Sequence, residues 1–262
     1  MECRLGLVQL AAGEDKAENL RRARAEIDRA AREGAELVIL PEMFCQPYET
    51  ARFAEYAEAE GGPAQQMLSL AARENKVWLV GGSVCEVENG RYYNTSYVYN
   101  PQGDCVAKHR KVHLFDIDIA GGQYFKESDV LSPGETLTVF DTPWGKVGLA
   151  ICFDIRFADM AAKMVEAGAR MLIYPASFNM STGPRHWELL FRARAMDGQC
   201  YSIGVAPARN EAASYVSWAH SIVVDPWAQV VCDLGTKPQT RVVTIDLDAI
   251  NSMRQQIPIG RA

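Results

Sequence analysis

The chain is poor in the residues and patterns that most often betray a cofactor. It has four histidines in 262 residues, and its seven cysteines include no Cys-x-x-Cys pair. Zinc and iron–sulfur centres need ligands at recognisable spacing, so no metal site is expected. The cysteines number seven, an odd count, and lie scattered at 3, 45, 85, 105, 152, 200 and 232. That distribution predicts reduced thiols in a cytoplasmic type of compartment rather than a disulfide framework. A Gly-x-Gly-x-x-Gly turn and a phosphate-binding loop are both missing, which leaves no signal for a nucleotide cofactor. Lysine and arginine (27) are outnumbered by acidic residues (33), giving a net charge of −6. This balance argues against a nucleic-acid or anionic-membrane partner. Apolar runs of membrane-spanning length are lacking, and the opening residues read as a strand rather than a leader peptide.

What is present is an ordinary globular composition, 48% apolar and 23% charged, with ample material for a core. Residues 4–10 read as a strand. Over 16–32, Ala17, Leu20, Ala23, Ile27 and Ala30 recur at helical spacing, and Gly34 sits where a helix-ending glycine belongs. Residues 36–42 then form a short, wholly apolar strand of the kind buried on both faces. Together these make a β-α-β unit with a right-handed crossover. A helix over 63–74 follows, then strands over 77–87, 92–100 and 105–111, with Glu88-Asn89-Gly90 as a hairpin signal. Residues 112–134 show little periodicity and read as a long loop containing Gly121-Gly122. Strands at 137–140 and 146–152, a helix at 158–166 capped by Gly168, and a buried strand over 170–176 come next. The remainder reads as an amphipathic helix over 184–198, strands at 200–206, 221–226, 229–233 and 241–246, and a last helix near 248–255.

The two halves echo one another. Gly34-Ala35-Glu36-Leu37-Val38-Ile39-Leu40-Pro41-Glu42 matches Gly168-Ala169-Arg170-Met171-Leu172-Ile173-Tyr174-Pro175-Ala176 in spacing and character. No linker separates them, so residues 1–262 read as a single domain. Its expected form is an α/β four-layer αββα sandwich with internal pseudo-symmetry.

Three strand ends carry chemistry-bearing side chains. Cys152 closes a buried strand and is followed at once by polar Asp154 and Arg156. A thiol there is either a small buried hydrophobe or a nucleophile whose backbone surroundings favour an anion. Glu42, ending an apolar strand, is either a structural anchor or a general base with a raised pKa. Lys111 closes a basic cluster that would usually be a solvated face, although alternation puts it on the opposite side from Arg110. Glu127, in the loop, reads as a surface residue on frequency alone. A Cys–His pair has only His109, His113, His186 and His220 to draw on, and of these only His113 lies at a comparable strand end.

Leu40-Pro41-Glu42-Met43-Phe44, His109-Arg110-Lys111-Val112-His113-Leu114-Phe115-Asp116 and Gly148-Leu149-Ala150-Ile151-Cys152-Phe153-Asp154-Ile155-Arg156-Phe157 resemble the three motifs of the nitrilase (carbon–nitrogen hydrolase) superfamily. Further stretches are similar to its omega-amidase branch: Thr182-Gly183-Pro184-Arg185-His186-Trp187, Pro207-Ala208-Arg209-Asn210, Ser214-Tyr215-Val216-Ser217-Trp218 and Val224-Asp225-Pro226-Trp227. The similarity runs nearly end to end.

The resemblance implies a catalytic triad of Glu42, Lys111 and Cys152, with Glu127 as a second, positioning glutamate. It also implies that Arg156 binds a substrate carboxylate and that Phe178 and Thr182 are further substrate contacts. Phe44 and Tyr48 are expected to bound the pocket, and the backbone N–H of Phe153 to face the substrate oxygen. The implied activity needs no cofactor. It is hydrolysis of the terminal amide of 2-oxo dicarboxylic acid monoamides, 2-oxoglutaramate and 2-oxosuccinamate, through a cysteine thioester. Competing readings are amidases for deaminated glutathione or N-carbamoyl amino acids, nitrile hydrolysis, and a catalytically silent metabolite-binding scaffold. The family implies a homodimer. Its members usually continue beyond the stretch matching Gln255-Gln256-Ile257-Pro258 into a basic tail that supports dimer packing, whereas this sequence ends at Ala262.

Overall fold

The computed structural model describes residues 1–118 and 124–259. In chain order the elements are β1 (Glu2–Gln9), α1 (Lys16–Arg32), β2 (Leu37–Ile39), α2 (Phe53–Tyr56), α3 (Pro63–Asn75), β3 (Trp78–Val80), β4 (Val84–Glu88), β5 (Arg91–Tyr99) and β6 (Cys105–Arg110). A small ribbon of β7 (Asp116–Asp118) and β8 (Tyr124–Lys126) leads to β9 (Thr138–Thr142) and β10 (Gly145–Leu149). The second half continues with α4 (Ala158–Glu166), β11 (Ala169–Pro175), α5 (Gly183–Gly198), β12 (Tyr201–Val205), β13 (Ile222–Val224), β14 (Val230–Asp233), β15 (Gln239–Asp246) and α6 (Asp248–Gln256).

Among the described residues the strands form a seven-stranded sheet, ordered β15-β1-β2-β3-β5-β4 with β6 also on β5, and a six-stranded sheet, ordered β14-β13-β12-β11-β10-β9. The parallel pairs lie at the centre of each: β1 with β2 and β2 with β3 in the first, β10 with β11 and β11 with β12 in the second. Helices α1 and α3 make the crossovers in one half, α4 and α5 in the other. This is the pseudo-symmetry anticipated from the repeated Leu-Pro-Glu and Tyr-Pro-Ala strand ends.

The layers are visible in what packs on what. Leu5, Leu7, Leu37 and Ile39 from the first sheet meet Val147, Leu149, Met171, Ile173 and Ile203 from the second in one buried cluster. The opposite face of the first sheet, Val8, Val38 and Leu79, packs on Ala23, Ile27 and Ala30 of α1 and Leu68, Ala71 and Ala72 of α3. The second sheet covers its other face with Met160, Met164 and Val165 of α4 and Trp187, Phe191 and Ala195 of α5. An αββα sandwich follows, because each central strand is apolar on both faces and needs a layer on each.

Three local expectations are corrected. The strand read over 77–87 is two strands, β3 and β4, broken at Gly81-Gly82-Ser83. Gly82 has φ +60°, and a Cβ there would stand 2.1 Å from the Pro41 carbonyl oxygen. Only glycine lets the chain pass so close to the turn after β2. The 112–134 segment is not all loop: it carries the β7–β8 ribbon and a 3₁₀ turn over Glu127–Asp129. Gly121-Gly122 lie outside the described residues. The strand expected over 146–152 stops at Leu149, and a 3₁₀ turn over Cys152–Arg156 precedes the helix, which spans Ala158–Glu166 as expected. The Asn89-Gly90 hairpin is present, with Glu88 opposite Arg91 and both turn residues at positive φ (51° and 75°), as a tight two-residue hairpin requires.

Candidate active site

The central strands of both sheets run toward one end of the sandwich, and the strand extensions there converge. In the second sheet, β10 continues through Ala150 and Ile151 into Cys152, which has φ +46° and opens the 3₁₀ turn. A left-handed conformation at a residue with a Cβ costs on the order of 1–2 kcal/mol, so something must hold it. The restraint is Asp154. Its carboxylate accepts from the Ile151 N–H (3.0 Å) and the His113 N–H (2.8 Å), and meets His113 Nδ1 at 2.8 Å and His109 Nε2 at 3.2 Å. Burial alone would raise the Asp154 carboxyl, but the hydrogen bonds from His109 and His113 outweigh it and hold it well below the usual carboxylate range. Asp154 therefore fastens the cysteine turn to the segment that carries Lys111.

Lys111 follows β6 and is wholly buried. Its N–H donates to the Asn94 carbonyl at 2.8 Å, which continues the β5–β6 ladder by one bond and turns the side chain inward. Arg110 points the other way, paired with Glu86 and lying over the Tyr93 ring at 3.8 Å. The lysine Nζ lies 3.0 Å from Glu42 Oε1 and 2.9 Å from Glu127 Oε2. Burial would lower its pKa, but Glu127 and then Glu42 overcome that and raise it, so the ammonium stays charged.

Glu42 stands beyond β2, in a turn tied by the Met43 N–H to Ser83 Oγ at 3.0 Å. The break at Gly81-Gly82 delivers Ser83 to this position. Oε1 of Glu42 is saturated by Asn94 Nδ2 (2.8 Å), Lys111 Nζ (3.0 Å) and the Tyr48 hydroxyl (3.2 Å). Oε2 has no hydrogen-bond partner. Burial first, with Glu127 adding to it and Lys111 opposing, raises the Glu42 carboxyl above its ordinary value. Glu127 is fully buried, against the surface expectation, because Oε2 accepts from the Phe115 N–H (2.6 Å) while Oε1 accepts from Tyr48 (2.7 Å) and Lys111 (3.0 Å). The Cys152 thiol is pushed well above its usual value by burial and by Glu42, with Lys111 pulling the other way. It donates to the Ser177 carbonyl at 3.7 Å.

A narrow slot beside the thiol, of about 10 Å³, is lined by Phe115, Cys152, Phe153, Arg156, Ser177, Phe178 and Thr182. That is room for roughly one water, so a larger occupant must displace side chains. The Arg156 guanidinium lies over the rings of Phe178 (5.1 Å) and Phe153 (5.4 Å) and reaches only His186 Nδ1, at 3.1 Å. Its Nε has no partner and it pairs with no carboxylate among the described residues. Burial, then Arg156 and Arg185, lower the His186 pKa, which keeps that ring a neutral acceptor. Thr182 is turned by Asn179, whose Oδ1 accepts from both its N–H and its hydroxyl at 2.8 Å.

The structure thus brings Glu42, Lys111, Glu127 and Cys152 together, with Arg156, Phe153, Phe178 and Thr182 alongside. Phe44 and Tyr48 line not the slot but a larger cavity, of about 270 Å³, that also takes in Glu42 and Ser177. Tyr48 bridges the two glutamates as well, and Phe44 also packs in the core between the first sheet and its helices. Asn94 and Tyr215 were not singled out from sequence, and His113 and Asp154 were noted there without the role of holding the cysteine turn. Asn94 was findable, since in an antiparallel ladder the inward-facing neighbour of Lys111 lies on the paired strand. Tyr215, which donates to the Ser177 carbonyl at 2.6 Å and packs on Tyr48, comes from an irregular loop with no periodic signal. No group of three or more His, Cys, Asp or Glu among the described residues is arranged to hold a metal ion, and no helix among them is long and apolar enough to cross a membrane.

Comparison with known proteins agrees with this architecture. The chain is 49% identical to the mouse protein named omega-amidase NIT2 over 256 residues, covering 98% of this chain and 93% of that one. It is 47% identical to the human protein of the same name, covering 98% and 94%. The crystal structure of Saccharomyces cerevisiae Nit3, described as a member of branch 10 of the nitrilase superfamily, superposes with a TM-score of 0.92 at 41% identity, over 99% of this chain and 95% of that one. With the carbon–nitrogen hydrolase profile matching residues 4–255, this chain belongs to the carbon–nitrogen hydrolase family.

Proposed function

We propose that the protein is an omega-amidase that releases ammonia from the terminal amide of 2-oxo dicarboxylic acid monoamides, with Glu42, Lys111 and Cys152 as its catalytic residues. One observation carries the substrate class: Arg156, half-buried beside Cys152 and without a carboxylate of its own, is a cation awaiting an anion. Arginine binds carboxylates through two parallel bonds, which fixes their distance from the reacting atom. A substrate anchored there presents its far end, the amide, to the thiol.

The chemistry follows from which atoms are already occupied. Glu42 Oε1 is held by three donors, so the unpartnered Oε2 is the oxygen that takes the thiol proton. The thiolate attacks the amide carbonyl, and the Lys111 ammonium and the Phe153 N–H receive the negative charge on oxygen. Donors of this kind are worth about 10²–10³ in turnover each. Glu42 returns the proton to the departing nitrogen, ammonia leaves, and a thioester remains. Water, losing its proton to Glu42, then releases the acid and the thiol. Glu127 is a positioning residue: it shares Lys111 with Glu42 and is itself fixed by the Phe115 N–H and Tyr48.

The chain is proposed to act as one domain and as a homodimer in the cytoplasm. The exposed Leu189 and Met196 on α5 support the dimer, and seven unpaired cysteines support a reducing compartment. The test of function is ammonia release from 2-oxoglutaramate and from deaminated glutathione side by side, with Cys152→Ala as the blank. Preference for 2-oxoglutaramate is expected, and Cys152→Ala keeps the fold while losing turnover. The reverse preference would move the protein to the glutathione-repair class. Activity on neither would favour carbamoyl hydrolysis or a silent scaffold.

A further inference from the structure

Helix α5 holds Arg156 at both its ends. Arg194, buried on that helix, donates from Nε to the Ile155 carbonyl (2.8 Å) and from Nη2 to the Arg156 carbonyl (3.3 Å), which fixes the backbone. In the first turn of the same helix, His186 meets the guanidinium, with Nδ1 3.1 Å from Arg156 Nη2. Arginine carries donors and no acceptor, so this contact requires Nδ1 to be unprotonated and to accept. The rings of Phe153 and Phe178 attract the charge without fixing which N–H faces the slot. His186 supplies that direction, although it does not itself line the slot. Its own N–H donates to the Thr182 carbonyl at 2.9 Å, so the ring shares one helical turn with a residue that does.

The kind of acceptor decides what the arginine can still do. A carboxylate in this place would hold the guanidinium more firmly, but it would neutralise the charge and compete with a substrate anion. A neutral imidazole takes one N–H and leaves the charge and the remaining donors available. We infer that His186 is a positioning residue for substrate recognition: unprotonated, it orients Arg156 toward the substrate carboxylate, and on protonation it lets the guanidinium go. The inference rests on the placement of that carboxylate on Arg156 given above. The charges acting on the ring are both cationic, Arg156 from the cysteine turn and Arg185 beside it on α5. Burial first, and then these two, hold the ring neutral to a lower pH than the ordinary histidine value of 6.5. Selectivity for acidic amides therefore depends on pH. Affinity for a carboxylate-bearing amide falls as His186 titrates below 6.5, and affinity for an uncharged amide does not.

The test measures KM and kcat for 2-oxoglutaramate and for an uncharged amide of similar length, across the histidine range. His186→Leu should raise KM for 2-oxoglutaramate about 3- to 10-fold, the contribution of one hydrogen bond, and spare both kcat and the uncharged amide. His186→Asn, whose Oδ1 replaces Nδ1 as an acceptor at every pH, should bring KM back to within a fewfold of wild type. It should also abolish the rise in KM that wild type shows at acid pH. The Glu42 limb appears on both substrates, so the two titrations are separable. In an Arg156→Met background, His186→Leu should add nothing, because its effect passes through the arginine. An unchanged KM in His186→Leu, or equal losses on the two substrates, would overturn the proposal. Tighter binding of 2-oxoglutaramate by wild type at acid pH would also overturn it, and would make the imidazolium itself a carboxylate ligand. Equal losses on both substrates in Arg156→Met alone would instead remove the carboxylate from Arg156, so the two failures are distinguishable.

Discussion

Replacing Arg156 with methionine separates substrate recognition from the rest of the site. The guanidinium has no carboxylate to leave stranded, and its one side-chain hydrogen bond is to His186, which is only partly buried. Methionine keeps the apolar contact with Phe153 and Phe178. The fold should therefore lose less than about 1 kcal/mol, a shift of roughly 2–4 °C in Tm for a chain of this size. Substrate binding should lose far more. A charge-assisted hydrogen bond is worth about 1.5–3 kcal/mol, and each 1.4 kcal/mol is tenfold. kcat/KM on 2-oxoglutaramate should fall by about 10- to 150-fold, mainly through KM. An uncharged amide of similar length, which never used the arginine, should be hydrolysed at the wild-type rate. The assay is ammonia release over a substrate series for both compounds, with a melting curve as the fold control. Equal losses on the two substrates would refute the placement of the carboxylate on Arg156.

Lys111→Met strands Glu42 and Glu127 as buried carboxylates, and breaking such a pair costs about 3–5 kcal/mol. Urea unfolding should show it, and a loss under 1 kcal/mol would mean that the lysine is not the group holding them. The acid limb of kcat/KM should lie above the ordinary glutamate value of 4.5, because burial raises the Glu42 carboxyl and only its ionised form takes the thiol proton; a limb at or below that value would exclude Glu42 as the base. Glu86 gives a stability signal of its own. Burial opposes its ionisation, but bonds from Arg110, Lys108 and Thr95 outweigh burial and bring it down from 4.5 to about 2. Its contribution is present above pH 4.5 and is lost as pH falls toward 2. Glu86→Gln should flatten the stability profile in that window alone, and an unaltered slope there would show that the pair contributes nothing.

Much of this was readable from the chain because local rules and the global fold agree. The 16–32 helix and the apolar strand ending at Ile39 follow from periodicity, and the echo of Leu40-Pro41-Glu42 by Tyr174-Pro175-Ala176 announced the two-sheet symmetry. Glu42, Lys111 and Cys152 stood out because each follows a strand, and the motifs that surround them are distinctive. What escaped were features set by tertiary contact. Glu127 is buried because the β7–β8 ribbon and the Phe115 N–H fold over it, and neither leaves a mark in residue spacing. The left-handed Cys152 is stabilised by histidines some forty residues earlier, a pairing invisible to any local window. Gly82 interrupts a strand that propensity alone would extend, because its neighbour is the Pro41 carbonyl rather than solvent.

The pairing of β1 with β15 has a consequence in time. Residues Glu2 to Gln9 find their antiparallel partner only in Asp246 to Gln239, at the opposite end of the chain. During synthesis β1 emerges first and waits for nearly the whole polypeptide before that edge is covered. At about 5–20 residues per second the wait is on the order of ten seconds or more. Contacts this distant in sequence also close slowly, since the intervening loop entropy must be overcome before the pairing rewards it. Glu42 and Lys111 hang from the sheet that is completed last, and Cys152 from the other. A nascent chain therefore carries an exposed strand and no working site, and the onset of ammonia release would time the closing of the β1–β15 seam.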